Sequence, residues 1–168
     1  MPPARLVPDA AALEIRRAAR DDVEALASLR PFVHDRHVQA HPDYFKPLSR
    51  DVAARLAESW FSRADIHVLL ASLAGEPIGY LVATIAERPE VEALHARRVV
   101  VIDQIAVETG AQGQGCGKAL LAAGVALARE LGVSAVDLEV YHFNAGPRAF
   151  FLSQGSQPLR ERLTRAVE

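Results

Sequence analysis

Gly113, Gly115 and Gly117 alternate and are followed by Lys118. They lie between an apolar, β-branched run, Val99–Val107, and a stretch of helical periodicity that begins near Gly115 and ends near Leu131. Strand, glycine loop and helix in that order bring unpaired main-chain N–H groups and the positive end of a helix dipole to one point, where an anion such as a phosphate is favoured. Spacing excludes two common phosphate loops. A Walker loop needs Gly at 112 and Ser or Thr at 119, but the chain has Gln112 and Ala119, so no hydroxyl is placed for Mg²⁺. A dinucleotide fingerprint begun at Gly113 needs a third Gly at 118, where Lys118 stands.

Other reactive side chains have plainer readings beside them. Asp103 interrupts the apolar run, and a carboxylate buried in a strand needs a partner such as Arg97, Arg98 or a nearby hydroxyl, or a chemical role. Glu139 falls mid-strand in Ala135–Tyr141, and His142 follows it. Cys116 at a helix start suggests a lowered thiol pKa. No histidine is placed to partner it, so it reads as a small packing residue. His34, His37 and His41 recur at i, i+3 and i+7, which on a helix lines up three metal ligands or a substrate-binding face. Pro42 ends that helix before His41 completes a rigid triad, so no metal is expected. Tyr44 and Phe45 follow in a turn and read as loop anchors or as a pocket wall.

These residues depend on a definite order of elements. Leu13–Ala18 alternates as a strand. Val23 to about Gln39 is helical with a break at Pro31. Ser49–Phe61 is a helix capped by Ser49, with Val52, Leu56 and Trp60 on its inward stripe. Ile66–Leu73 and Ile78–Glu87 form a hairpin through Ala74–Pro77, and Gly79 marks a bulge or a close backbone approach. The central strand and helix follow, stopped by Gly132. Ala135–Tyr141 should lie parallel beside Val99–Val107 because a helix crosses between them. Asn144 caps a helix that runs to about Gln154, and Pro158–Val167 reads as a last strand.

The whole-chain balance sets outer bounds. A chain of 168 residues with half its residues hydrophobic and about a quarter charged is one globular domain, expected over residues 13–168 behind a frayed tail, 1–12. A net charge of −2 and a pI near 6.3 give no basic field for nucleic acid or an anionic membrane. No apolar run approaches the roughly 20 residues of a membrane span. A single cysteine and no leader-like segment suit the cytoplasm.

Gln112-Gly113-Gln114-Gly115-Cys116-Gly117 matches Gln/Arg-x-x-Gly-x-Gly/Ala and resembles the pyrophosphate loop of the GNAT superfamily of acetyl-CoA-dependent N-acetyltransferases. Val107 stands at the family's strand-to-loop distance. Asn144, Phe150-Phe151 and Gly155-Ser156 occupy its later helix pattern, so the resemblance spans about Leu13 to Arg165. It implies an α/β fold: a mixed, mostly antiparallel sheet with one parallel pair and helices on both faces.

The resemblance also implies acetyl transfer from acetyl-CoA to a primary amine of a small molecule or peptide, by direct attack in a ternary complex. The main chain of Gln112, Gly113, Gln114, Gly115, Cys116, Gly117 and Lys118 would hold the pyrophosphate. Ile105, Ala106 and Val107 would pair with the pantetheine arm, and the Val107 N–H would face the oxyanion. Asn144 and Phe151 would border the cofactor. Asp103 is the first choice of base and Glu139 the reserve. His34, His37, Tyr44, Phe45 and Tyr141 would line the acceptor pocket.

Phe151 stands where many members have a tyrosine that protonates the leaving thiolate, and a phenyl ring has no proton to give. That leaves water or another hydroxyl, such as Tyr141, as the acid. It is also the argument for the alternative, a non-catalytic acetyl-CoA sensor of the same fold. Dimerisation is common in the superfamily, but no residue here argues for it.

Overall fold

The computed structural model describes residues 13–167. The expected tail over residues 1–12 lies outside the described residues. Five strands form one sheet in the order β1 (Leu13–Arg17), β2 (Ile66–Leu73), β3 (Glu76–Arg88), β4 (Arg97–Val107) and β5 (Val136–Leu138). Every neighbouring pair is antiparallel except β4 and β5. The helices are α1 (Val23–Leu29), α2 (Pro31–Ala40), α3 (Arg50–Trp60), α4 (Cys116–Glu130) and α5 (Ala145–Ser153). This is the mixed, mostly antiparallel sheet with helices on both faces that the sequence leads one to expect.

Side-chain alternation divides the two faces. On β2 and β3, Leu69, Ala71, Leu81 and Ala83 point to a core shared with Leu120, Leu121 and Leu127 of α4. Val68, Leu70, Tyr80 and Val82 point the other way, to Leu26 and Leu29 of α1 and to Ala57 and Trp60 of α3. The β2–β3 turn places Ala74 at φ 51° and Gly75 at φ 84°, two successive left-handed residues that match the twist of a tight hairpin. The register shifts between Ala71 and Ser72, opposite Gly79 and Pro77. At Gly79 a Cβ would lie 2.7 Å from the Ala106 carbonyl oxygen. The extra residue of the bulge is Ile78, and the close backbone approach falls on Gly79 beside it.

Three expectations need correction. Helix α3 is capped as foreseen, with Ser49 Oγ accepting from the Val52 N–H at 3.3 Å. Its inward residues, however, are Ala53, Ala57 and Trp60, while Leu56 is exposed. Alanines let α3 approach the sheet closely, which a Val52–Leu56 face would not. The strand expected over Ala135–Tyr141 is only Val136–Leu138. Pro158–Val167 forms no strand. It is exposed chain in which Leu159, Leu163 and Val167 touch no core, and alternation alone makes no strand without a neighbour to pair with.

Pro31 does break the first helical stretch. It takes the first position of α2, where a missing N–H costs least, and α1 ends just before it. Gly132 follows α4 at φ 66° and terminates it.

Candidate functional site

The loop between β4 and α4 is built from left-handed glycines. Gly113 has φ 77° and Gly115 φ 87°, values that side chains resist. Gly115 is the residue ahead of α4, and the first bond into that helix runs from the Ala119 N–H to the Gly115 carbonyl at 2.9 Å. The N–H groups of Cys116, Gly117 and Lys118 thus have no carbonyl earlier in the helix to bond. Gln112 and Gln114 brace the loop from within: Gln112 Nε2 donates to the Val107 carbonyl at 2.9 Å and Gln114 Nε2 to the Gly110 carbonyl at 2.8 Å. Lys118 is exposed, as are Gln112, Gly113, Gln114 and Gly115.

Strand β4 changes character at Asp103. Val82 pairs with Gln104 and Ala83 with Ile102, so Asp103 is an extra residue without a partner on β3, a β-bulge. Side-chain alternation flips across it: Val100 and Ile102 belong to the α4 face before the bulge, Ile105 and Val107 after it. Two consecutive polar side chains are thereby turned to the α1–α3 face. Asp103 accepts a hydrogen bond from the Thr84 hydroxyl, and Gln104 Oε1 accepts one from the Tyr80 hydroxyl at 2.9 Å. Asp103 is exposed, which corrects the expectation of a buried carboxylate. Of its foreseen partners it takes the hydroxyl, while Arg97 pairs with Asp137 and Arg98 with Glu87.

The parallel neighbour ends at the same level. Val100, Val101 and Ile102 pair with Val136, Asp137 and Leu138; beyond Ile102, β4 runs on to Val107 paired with β3 on one side and, among the described residues, with no strand on the other. The Glu108 N–H bonds the Ile78 carbonyl on the β3 side at 2.8 Å, so alternation turns the N–H of Val107 toward the open side. The carbonyl of Val107 is held by Gln112 on that side, and its N–H is left for another acceptor.

All five residues expected at an acceptor pocket converge. The ring of His37 lies 5.1 Å from Phe45 and 5.2 Å from Tyr141, and Phe45 lies 6.2 Å from His34 and 4.9 Å from Tyr44. Phe143, which periodicity did not single out, completes the cluster 5.3 Å from both His37 and His41. Most contacts are edge-to-face, the arrangement the ring quadrupoles favour. His34 Nε2 is hydrogen-bonded to the Lys46 carbonyl and His37 Nδ1 to the Val33 carbonyl, both at 2.7 Å, so these nitrogens do not converge on a metal. The carbonyl can only accept, so Nδ1 of His37 is the donor and Nε2 is the ring nitrogen left for another partner. Partial burial, then Tyr44 and Glu139, push the Tyr141 hydroxyl above its ordinary pKa, so it keeps its proton at neutral pH.

The remaining candidates are more scattered. The Glu139 side chain is 83% exposed and paired with Arg160 at 3.2 Å. Cys116 is buried between α4 and the sheet, and burial raises its thiol pKa, the opposite of what a nucleophile needs. Asn144 precedes α5 without a side-chain cap, its main-chain oxygen accepting from the Arg148 N–H at 3.1 Å. Phe151 is buried in the α4-side core, while the neighbouring Phe150 ring reaches the loop, 3.8 Å from where a Cβ on Gly117 would stand.

A sheet that opens at a bulged strand, directly before a glycine loop and a helix N-terminus, defines a class of fold that known proteins share. Residues 30–155 match the model of the Acetyltransferase (GNAT) family. The chain belongs to this family. It is 36% identical over 138 residues to a mycothiol acetyltransferase of Sanguibacter keddieii, and 32% identical over 122 residues to one of Propionibacterium freudenreichii subsp. shermanii. These matches cover 82% and 71% of this chain but only 40% and 35% of the relatives, so the chain spans well under half of their length. Among solved structures, a tetramutant protein from Bacillus halodurans superposes with a TM-score of 0.86 at 22% identity, over 92% of this chain and 99% of that one. An aminoglycoside N-acetyltransferase in complex with CoA superposes with a TM-score of 0.75 at 19% identity, over 96% and 99%. Among the described residues, no helix is long and apolar enough to cross a membrane.

Proposed function

We propose that this acetyltransferase moves the acetyl group of acetyl-CoA to a primary amine of a small molecule, by direct attack within a ternary complex. One observation carries the reading: β4 loses its parallel neighbour β5 after Ile102 and ends at a loop whose helix-side N–H groups lack intrahelical partners. An open strand edge suits the amides of a pantetheine arm, and the loop suits a diphosphate. The likeness to mycothiol acetyltransferases and to a CoA-bound aminoglycoside N-acetyltransferase supports an acetyl donor and a small acceptor.

In this reading the N–H groups of Gly113 to Lys118 hold the diphosphate, and Ile105 and Val107 orient the arm by main-chain contacts. The Val107 N–H stabilises the oxyanion formed when the amine adds to the thioester carbonyl. Asp103, on the bulge and within reach of solvent, takes a proton from the acceptor's ammonium, directly or through water, so that the neutral amine can attack. Tyr141 keeps its proton at neutral pH and supplies it to the departing thiolate in place of the tyrosine absent at Phe151. His34, His37, Tyr44 and Phe45 form the wall against which the acceptor lies.

Titration calorimetry with acetyl-CoA, followed by thiol release against a panel of amines, tests this. Binding in the micromolar range and amine-dependent release of free CoA are expected. Binding with no release for any amine would leave a sensor of acetyl-CoA; no heat at millimolar ligand would remove the reading altogether.

A further inference from the structure

Arg30 lies at the joint between α1 and α2, on the sheet face that carries Tyr80 and Gln104. Its Nε and Nη1 are sealed from solvent and have no hydrogen-bond partner among the described residues. None of the ion pairs of the described residues involves it. Its guanidinium carbon stands 5.4 Å from the centre of the Trp60 ring, which satisfies one face by cation–π attraction but none of its N–H groups. Two sealed N–H groups on a charged side chain without an acceptor are a cost that the ring contact does not remove.

The neighbouring groups offer donors. The Tyr80 hydroxyl donates to Gln104 Oε1, which occupies the acceptor end of that amide and leaves its NH₂ as a donor. Burial pushes the Tyr80 phenol above its usual pKa, with Arg30 pulling weakly against that, so Tyr80 stays neutral and does not serve as the counter-ion. Nη2, the nitrogen not sealed in, is common to both two-point edges of the guanidinium. An anion arriving there meets the guanidinium through Nη2 and brings it the counter-charge that no described residue supplies. A guanidinium and an amide donor grouped around one phenol match a carboxylate.

We infer that Arg30, with the Gln104 amide, anchors a carboxylate carried by the acceptor, so that the amines acetylated here are amino acids or other amines bearing a carboxylate. This rests on the transfer reading above, because Gln104 directly follows Asp103 on the bulge and the anchored group would sit beside the reacting strand. Arg30 then acts as a specificity residue; it moves no proton.

The test uses matched pairs, α- and ω-amino acids each with its carboxamide, assayed by thiol release from acetyl-CoA. For at least one pair, kcat/KM for the acid exceeds that for the amide by about tenfold or more. In Arg30→Met that preference is lost because the acid falls to the level of the amide, while affinity for acetyl-CoA is unchanged. Arg30→Met removes an unpaired buried charge and should melt no lower than the natural chain. A readout without acetyl-CoA separates this inference from the transfer reading: the preferred acid raises Tm of the natural protein, its amide does not, and neither raises that of Arg30→Met. Acetylation of amines with no preference for acids, or a preference that survives Arg30→Met, overturns the carboxylate anchor and leaves acetyl transfer standing. Failure of the acids both to be preferred and to raise Tm overturns it as well.

Discussion

Asp103 and Gln104 are adjacent polar residues in a strand otherwise made of Val, Ile and Ala from Val99 onward, and the bulge turns both to the same face. An exposed carboxylate held by one hydroxyl can be reached from solvent, which suits a base more than a buried ion pair would. The rival explanation is that Asp103 only ties β4 to Thr84 of β3. The two separate by substitution. Asp103→Asn keeps a hydrogen bond to Thr84 and removes the base, and should lower kcat/KM about 100-fold with little change in Tm. Thr84→Val removes the tie and leaves the carboxylate, and should change kcat/KM by no more than about threefold. Equal losses in the two variants would make the bond, and with it the strand geometry, the important feature.

The β4–α4 loop owes its shape to residue type at fixed spacing, and so it was readable before any fold was known. Only glycine sits comfortably at φ 77° and 87°, and the alternation of glycines places those angles directly ahead of a helix. Gly115→Ala should therefore fold with a penalty of about 1 kcal/mol, but lose affinity for acetyl-CoA by about tenfold or more in calorimetry, because the strained residue redirects the N–H groups behind it. An unchanged affinity would place the diphosphate elsewhere. Features set by contact with distant elements were not readable in the same way. The helix period of α3 admitted either stripe, and only the closeness of the sheet selects Ala53 and Ala57 over Leu56. The early end of β5 and the missing strand over Pro158–Val167 depend on which neighbour is present. Arg30 looked like any helix residue next to a proline, because burial of a guanidinium leaves no mark on spacing. The bulge did leave one, in the paired polar residues of β4, and that pair identifies Gln104 as well as Asp103.

At the scale of the molecule, one sheet serves two cores. Leu69, Leu81 and Ala83 face α4, and Leu70, Tyr80 and Val82 alternate with them on the same strands toward α1 and α3. Neither layer can lose its packing without removing one wall of the other, so the described residues should unfold as one cooperative unit. The single tryptophan makes this measurable, because Trp60 lies in the α1–α3 layer, remote from α4. Leu120→Ala empties a fully buried position in the opposite layer and should destabilise the protein by about 2–5 kcal/mol. If the layers are coupled through the strands, Trp60 fluorescence shifts its denaturant midpoint by as much as far-ultraviolet circular dichroism does, and the two curves coincide. A Trp60 transition that stays in place while the dichroism shifts would show two separately unfolding layers. The same coupling bears on the site, since the loop and α4 belong to one layer and Arg30 and the aromatic cluster to the side of the other. β4 is the element that both share, with Asp103 at the point where its two faces change over.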